Sequence, residues 1–137
     1  MPRRRKKRMV IRYEPAPGLQ KTAEDICARI FPNVQIDKVK YFRSYGSTSR
    51  NCLARCHGLA KIMQEAMECP AYYAIEFITE KFDRLPKEEQ IKTIIHELMH
   101  IPRNFGGGFK HHGFVTEKAV NRMHEQYKRI TFKSGSS

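Results

Sequence analysis

Several features are scarce or missing in this chain of 137 residues. No apolar run reaches the roughly 18–20 residues that a membrane-spanning helix needs. No apolar segment with a small-residue cleavage site follows the basic N-terminus, as a secretory signal would require. These absences predict a cytoplasmic protein with no membrane partner. Acidic residues are also scarce, 14 against 26 lysines and arginines, which leaves a net charge of +12.

The four cysteines form no paired CxxC motifs, so the pattern of a zinc ribbon is missing. In a cytosolic chain we expect reduced thiols rather than disulfides. The stretch "CLARCH" brings Cys52, Cys56 and His57 close together in sequence. Its spacing is not that of a zinc finger, so metal binding there is the less favoured interpretation.

The excess of positive charge is greatest near the N-terminus. Like charges repel and no apolar residue anchors the run, so residues 1–18, with the prolines of "YEPAPG", are predicted to be a basic, disordered arm. Each cation can replace a phosphate counterion, which indicates DNA, RNA or the ribosome as a partner, with little base specificity. A tail that only aids solubility is the alternative. The six consecutive cations are Arg3, Arg4, Arg5, Lys6, Lys7 and Arg8.

The whole chain is 40% hydrophobic, which is enough for a core. The pattern after the arm predicts an α+β domain over residues 19–131. We expect a helix packed on a short mixed sheet, then a long helix and a C-terminal helix, with a flexible tail at 132–137. The predicted elements are a helix at Leu19–Phe31, strands at Val39–Gly46, Leu53–Met63 and Tyr72–Ile78, a helix at Leu85–His100, a flexible bend at Gly106–Gly108, and a helix from a Thr116 cap to about Ile130.

The stretch "IIHELMH" carries the chemistry. His96 and His100 are four residues apart, so on a helix both imidazoles project from one face and could bind one metal ion. Glu97 points to the side, where it can act as general base toward a water that the metal activates. A catalytic zinc takes three protein ligands and keeps one position open. The glycines permit a reversal that returns a third ligand: His111, His112 or, more distantly, Glu117.

The motif "HELMH", the short glycine-containing loop and the following "HG" resemble the SprT-like and related phage and archaeal metallopeptidase families of zincins. The segment "IEFITEKFDRLPKEEQIKTIIHELMHIP" is similar to their strand and active-site helix, and the resemblance extends roughly from Val39 to Tyr127. It implies a small zincin-like domain, one Zn²⁺ per chain and hydrolysis of peptide bonds in proteins or peptides.

Carried over by position, the resemblance gives His96, His100 and His112 as the metal ligands, because His112 precedes Gly113. It gives Glu97 as the catalytic base. The oxyanion of the reaction needs a further donor, and the candidates for that role, or for a hydrogen bond to a ligand, are His111, Arg122 and Tyr127. The remaining histidines, His57 and His124, are interpreted as ordinary residues, with His124 on a helix surface.

The alternative function is a non-catalytic nucleic-acid- or ribosome-binding protein in which the zinc site is structural or vestigial. Glu97 favours the enzyme, because a purely structural site has no use for a base at that position.

Overall fold

The computed structural model describes residues 10–48, 50–110 and 113–135. Within these ranges the chain forms a mixed α+β domain, as the sequence predicts. Its elements, in chain order, are β1 (Arg12–Pro15), α1 (Pro17–Ile30), a 3-10 turn (Ile36–Lys38), β2 (Val39–Tyr45), β3 (Ala54–Gly58), α2 (Lys61–Met67), β4 (Tyr73–Ile78), α3 (Thr79–Phe82), α4 (Lys87–Met99) and α5 (Glu117–Gly135).

The four strands form one sheet in the order β1-β2-β4-β3. The two central strands, β2 and β4, are parallel, with Tyr41 opposite Ile75. The edge strands are antiparallel to their neighbours, and in β3 Cys56 also lies opposite Ile75. A parallel pair needs a long connection, and the segment between β2 and β4 supplies it while also contributing β3 and α2.

The core lies between this sheet and the helices. Alternate residues of β4, namely Tyr73, Ile75 and Phe77, are at most 1% exposed and belong to the same buried cluster as Ile94 and Ile95 of α4. Helix α1 packs on β2, α4 packs on β3, and α5 packs on both α4 and α1. Helix α4 therefore contacts three elements, namely β3, α5 and α1.

Most predicted helices and strands are confirmed with shifts of a few residues at their ends. Helix α5 begins as the sequence predicts, because the Thr116 hydroxyl accepts a hydrogen bond from the Ala119 N–H at 3.1 Å. It continues to Gly135, past the Ile130 end that the hydrophobic pattern suggests. No helix in the described ranges combines the length and the apolar character that a bilayer crossing demands.

Two segments differ from the prediction. Residues 12–15 form an edge strand, although the stretch before Gly18 is predicted to lack regular structure. All four residues of this strand are exposed, so no alternation of apolar and polar residues marks it. The stretch Leu53–Met63 is predicted as one strand, but β3 ends at Gly58 and helix α2 begins at Lys61. Here the mixed spacing of apolar residues reflects two short elements.

Candidate metal centre

Helix α4 positions the two histidines of the motif. It begins after Pro86, carries Glu88 and Glu89 in its first turn, and reaches its C-cap at His100. The acidic residues stabilise the positive end of the helix dipole. Because the apolar residues of α4 are buried against the sheet, its last turn is held at the edge of the core.

His96, Glu97 and His100 form a compact group of potential ligands. One ligand atom from each lies within 4.8 Å of the others, and this is the only such group of three or more among the described residues. The rings of His96 and His100 have centroids 4.9 Å apart and an interplanar angle of 71°. His100 is 1% exposed, whereas His96 is half-buried. The group therefore has one deeply fixed donor and one more accessible donor.

The orientation of His100 is set by the chain that follows it. The Nδ1 of His100 lies 2.5 Å from the carbonyl oxygen of Lys110. A carbonyl can only accept, so Nδ1 carries the proton and the Nε2 lone pair is left to bind a metal. The Lys110 N–H donates to the His100 carbonyl at 2.8 Å, and the Phe109 ring stacks on the imidazole at 4.3 Å and 10°. The donor set thus fits a metal ion that prefers imidazole nitrogen.

Glu97 has an environment suited to holding a proton. The side chain is 6% exposed, and burial raises its pKa to about 8, while a hydrogen bond from the backbone of Cys56 on β3 opposes that rise. A cation bound beside the carboxylate would favour its charged form. The backbone of Cys56 on the neighbouring strand holds the Glu97 carboxylate, which lies close to both histidines.

The glycine loop, defined as Gly106–Gly108, is held in place and is not the flexible bend that the sequence predicts. The Tyr73 hydroxyl donates to the Gly108 carbonyl at 2.8 Å and accepts from the Gly107 N–H at 2.9 Å. The Gln64 amide donates to the Gly106 carbonyl at 2.9 Å. Gly107 has φ +96°, and a Cβ there would lie 2.3 Å from the Gln64 Nε2. Gly107 is therefore needed for the close approach of the loop to Gln64 and Leu59.

Comparison with protein families places these observations in context. The model of a family described as "Putative phage metallopeptidase" matches residues 11–133. The chain belongs to this family. No curated protein and no solved structure matched the chain. Membership implies a metal and a protein or peptide substrate, in agreement with the donor group on α4.

The candidates for a third metal ligand lie partly outside the residues that the structure describes. His111 and His112, the two main candidates, are outside the described residues. Lys110 is the residue directly before them, and it is joined to His100 by two hydrogen bonds. Glu117, the more distant candidate, lines a cavity of about 270 Å³ together with His96.

The candidate oxyanion donors have different surroundings. His111 is outside the described residues, and Arg122 is exposed on α5. The Tyr127 hydroxyl donates to the Asp25 carboxylate of α1 at 2.6 Å, and this hydrogen bond lowers the pKa of Asp25. The structure therefore gives Tyr127 a partner on α1, where it joins two helices.

Within residues 10–48, 50–110 and 113–135, the other cysteines and histidines form no second group of potential metal ligands. Cys56 pairs with Ile75 on the helix-covered face of the sheet, while the adjacent His57 projects from the opposite face and contacts Glu76 at 2.9 Å. Neighbouring residues of a strand point to opposite faces, so Cys56 and His57 cannot converge on one ion.

His124 is buried, which corrects the prediction of a helix-surface position. Its side chain is 3% exposed, and its Nδ1 lies 3.9 Å from the Glu88 carboxylate on α4. Burial lowers the pKa of His124. This residue therefore packs α5 against the first turn of α4. Its position on the helix faces the core, although its polar side chain suggests exposure.

Three further residues of the centre were missed by the sequence reasoning: Tyr73, Gln64 and Lys110. Tyr73 lies within the predicted strand Tyr72–Ile78, but strand periodicity gives no sign of what its hydroxyl contacts. No local pattern in the sequence marks Gln64 or the Lys110 carbonyl. Their partners, the Gly106 carbonyl and the His100 ring, belong to other segments of the chain. The basic residues 3–8 lie outside the described residues, so the predicted nucleic-acid-binding arm stays a prediction.

Proposed function

We propose that the chain is a zinc-dependent peptidase of the HExxH zincin class, similar to the SprT-like enzymes. The observation that carries the proposal is the group of His96, Glu97 and His100, with the proton of His100 fixed on Nδ1 by the Lys110 carbonyl. Two neutral imidazoles suit zinc, and a catalytic zinc site needs a third protein ligand and an open position. We assign His112 as the third ligand, with His111 as the alternative, and one zinc ion per chain.

Each residue has a defined task in this proposal. His96, His100 and His112 would hold the zinc ion, which when bound supplies a Lewis acid for the peptide carbonyl and lowers the pKa of water. Glu97 accepts the proton of the attacking water and returns it to the leaving amine nitrogen. The Cys56 backbone orients the Glu97 carboxylate during both transfers. The burial of Glu97 supports this role, because an acceptor with a pKa near neutrality can both take and release a proton.

The first test measures zinc content and proteolysis together. The wild-type protein should bind about one equivalent of zinc, and His96→Ala or His100→Ala should lose it. Glu97→Gln should retain the zinc but cleave an unfolded substrate such as labelled casein at least about 10²-fold more slowly, since a positioned general base contributes about 10²–10⁴-fold. Glu88→Gln is the matched control, because Glu88 lies in the exposed first turn of the same helix.

The results of this test distinguish the zinc peptidase from the non-catalytic alternative. Full zinc binding after removal of both histidines would exclude the assigned site. Zinc binding with proteolysis that is unaffected by Glu97→Gln would exclude the assigned base. A zinc-loaded protein that cleaves no unfolded substrate would support the non-catalytic alternative. For the third ligand, His112→Ala should weaken zinc binding more than His111→Ala, and the reverse order would transfer the role to His111.

The basic arm is a second part of the proposal. Its support is the run of six cations from Arg3 to Arg8 within a chain of net charge +12. We propose that it brings the peptidase to DNA, RNA or a ribonucleoprotein. If six cations each contact a phosphate, removing residues 2–8 should reduce the slope of log affinity against log salt by about five on duplex DNA. An unchanged slope, measured by fluorescence anisotropy, would exclude this role and leave the peptidase assignment intact.

A further inference from the structure

The orientation of His100 depends on a loop whose contacts come from distant parts of the chain. We propose that Tyr73 is a positioning residue of the metal centre, which acts through the glycine loop and Lys110 to orient His100. This inference rests on the proposed function, in which His100 binds zinc. Gln64 supports the same loop from a second side.

Tyr73 uses both capacities of its hydroxyl on the glycine loop. The oxygen accepts the Gly107 N–H at 2.9 Å, and the proton is donated to the Gly108 carbonyl at 2.8 Å. The side chain is anchored, since Tyr73 is 1% exposed on the central strand β4 and its ring packs on Phe105 at 4.9 Å. Strand β4 thus fixes two peptide groups of the loop, Gly106–Gly107 and Gly108–Phe109.

Gln64 fixes the Gly106–Gly107 peptide group from its carbonyl side. Its amide nitrogen donates to the carbonyls of Gly106 and Leu59, each at 2.9 Å, and the residue is 6% exposed on α2. Leu59 in turn is joined to Tyr72 by a backbone hydrogen bond of 2.9 Å. The loop is therefore attached to the sheet through both Tyr73 and the β3–α2 connection.

The two residues that follow the fixed loop are the partners of His100. Phe109 and Lys110 follow Gly108 directly; Phe109 stacks on the His100 ring, and the Lys110 carbonyl accepts the proton of Nδ1. A carbonyl two residues beyond an anchored peptide has few accessible positions. The Tyr73 hydroxyl therefore helps to determine where the His100 proton sits and which nitrogen is left for zinc.

Removal of this hydroxyl should loosen the link without disturbing the core. In Tyr73→Phe the ring and its packing are kept, but the Gly107 N–H and the Gly108 carbonyl lose a partner in a partly buried position. The loop should then move to find other partners, because unsatisfied backbone groups are costly. Partners that orient a metal-binding histidine typically change metal affinity by about 10- to 100-fold, and we expect an effect of that size.

The test compares Tyr73→Phe with Tyr41→Phe in the full chain. Tyr41 is a matched control, because it is 2% exposed on the neighbouring central strand and its hydroxyl lies beside the Cys27 thiol rather than the loop. Three quantities are measured: the zinc dissociation constant by chelator competition, the visible absorption of the Co²⁺-substituted protein, and hydrogen exchange of the Gly107 and Lys110 amides in the metal-free protein. The last two respond to ligand geometry and to loop order rather than to overall stability.

We expect Tyr73→Phe to weaken zinc binding by about 10- to 100-fold, to alter the Co²⁺ spectrum and to speed exchange at both amides, while Tyr41→Phe resembles the wild type. Unchanged zinc affinity and an unchanged spectrum in Tyr73→Phe would overturn the inference and leave the proposed function standing. If the wild type itself binds no zinc, the proposed function fails, and the inference fails with it. Should Tyr73→Phe not fold, Gln64→Met removes a loop donor at similar volume, and the same three readouts decide.

Discussion

Helix α4 and the glycine loop both contribute to the candidate metal centre, but they are built differently. In α4, the spacing of His96 and His100 follows from the helix itself, and the buried face of the helix fixes its direction. In the loop, the backbone has no regular structure, and its position depends on Tyr73 and Gln64 in other elements. The two regions meet at His100, whose backbone and imidazole are both bonded to Lys110.

This difference has a consequence for how the centre tolerates change. A helix end is determined by many small local contributions, so single substitutions on its exposed side change little. The position of the loop is determined by a few hydrogen bonds, so the loss of one of them should weaken metal binding at the candidate centre.

Substitution of the two histidines should separate their roles. Both His96→Ala and His100→Ala should lose stoichiometric zinc, because each removes a ligand. His100→Ala should also destabilise the metal-free protein by about 1–3 kcal/mol in unfolding free energy, more than His96→Ala does, since it removes a fully buried ring and the partner of the Lys110 carbonyl. Urea denaturation with a chelator present measures this. Equal stability of the two metal-free variants would show that His100 does not connect the helix to the loop.

Substitution within the glycine loop should depend sharply on position. In Gly107→Ala the new Cβ would lie 2.3 Å from the Gln64 Nε2 and 2.4 Å from the Leu59 carbonyl, at a φ of +96°. We expect a loss of about 2–4 kcal/mol. Gly108→Ala is the matched control, because its Cβ meets only Pro102 at 3.6 Å. Similar stability of both variants, by chemical denaturation, would mean that the loop is not held as described.

The helix cap of α5 should affect stability but not the metal. Thr116→Ala removes the acceptor for the Ala119 N–H and should cost about 1 kcal/mol. Thr116→Ser keeps the hydroxyl and should be close to wild type. Zinc affinity should be unchanged in both, because the cap acts only on its own helix. A large loss of zinc affinity in Thr116→Ala would show that α5 takes part in orienting the centre.

The contact between α5 and α4 should contribute a pH dependence. Burial lowers the pKa of His124 below its usual value of about 6.5. The unfolded state therefore binds more protons at acid pH, and this group destabilises the fold as the pH falls below about 6.5. Above that pH it has no effect. In the metal-free protein, His124→Gln should lose stability less steeply than the wild type on acidification. Parallel stability curves from pH 8 to 5 would contradict this.

The sequence predicts the parts of the molecule that local rules determine. The stripe of Ile94, Ile95 and Leu98 identifies α4, and Thr116 identifies the start of α5. Strand β1 was missed, since its residues are exposed and its pairing with β2 is a tertiary contact. The glycine loop was misread as flexible for a related reason: its partners lie 34 to 42 residues away in the chain. The spacing of His96 and His100 was visible in sequence, whereas the proton position on His100 was not.

The residues that hold the loop have a further property: they precede it in the chain. Gln64 comes 42 residues before Gly106, and Tyr73 comes 35 residues before Gly108. During synthesis, the helix and strand that carry them leave the ribosome before the loop does. The side chains that hold the loop are therefore made before the loop itself. We expect a nascent chain that has only just completed α4 to carry the motif without the Lys110 carbonyl that orients His100, so that the donor group reaches its final geometry only after the loop has been made.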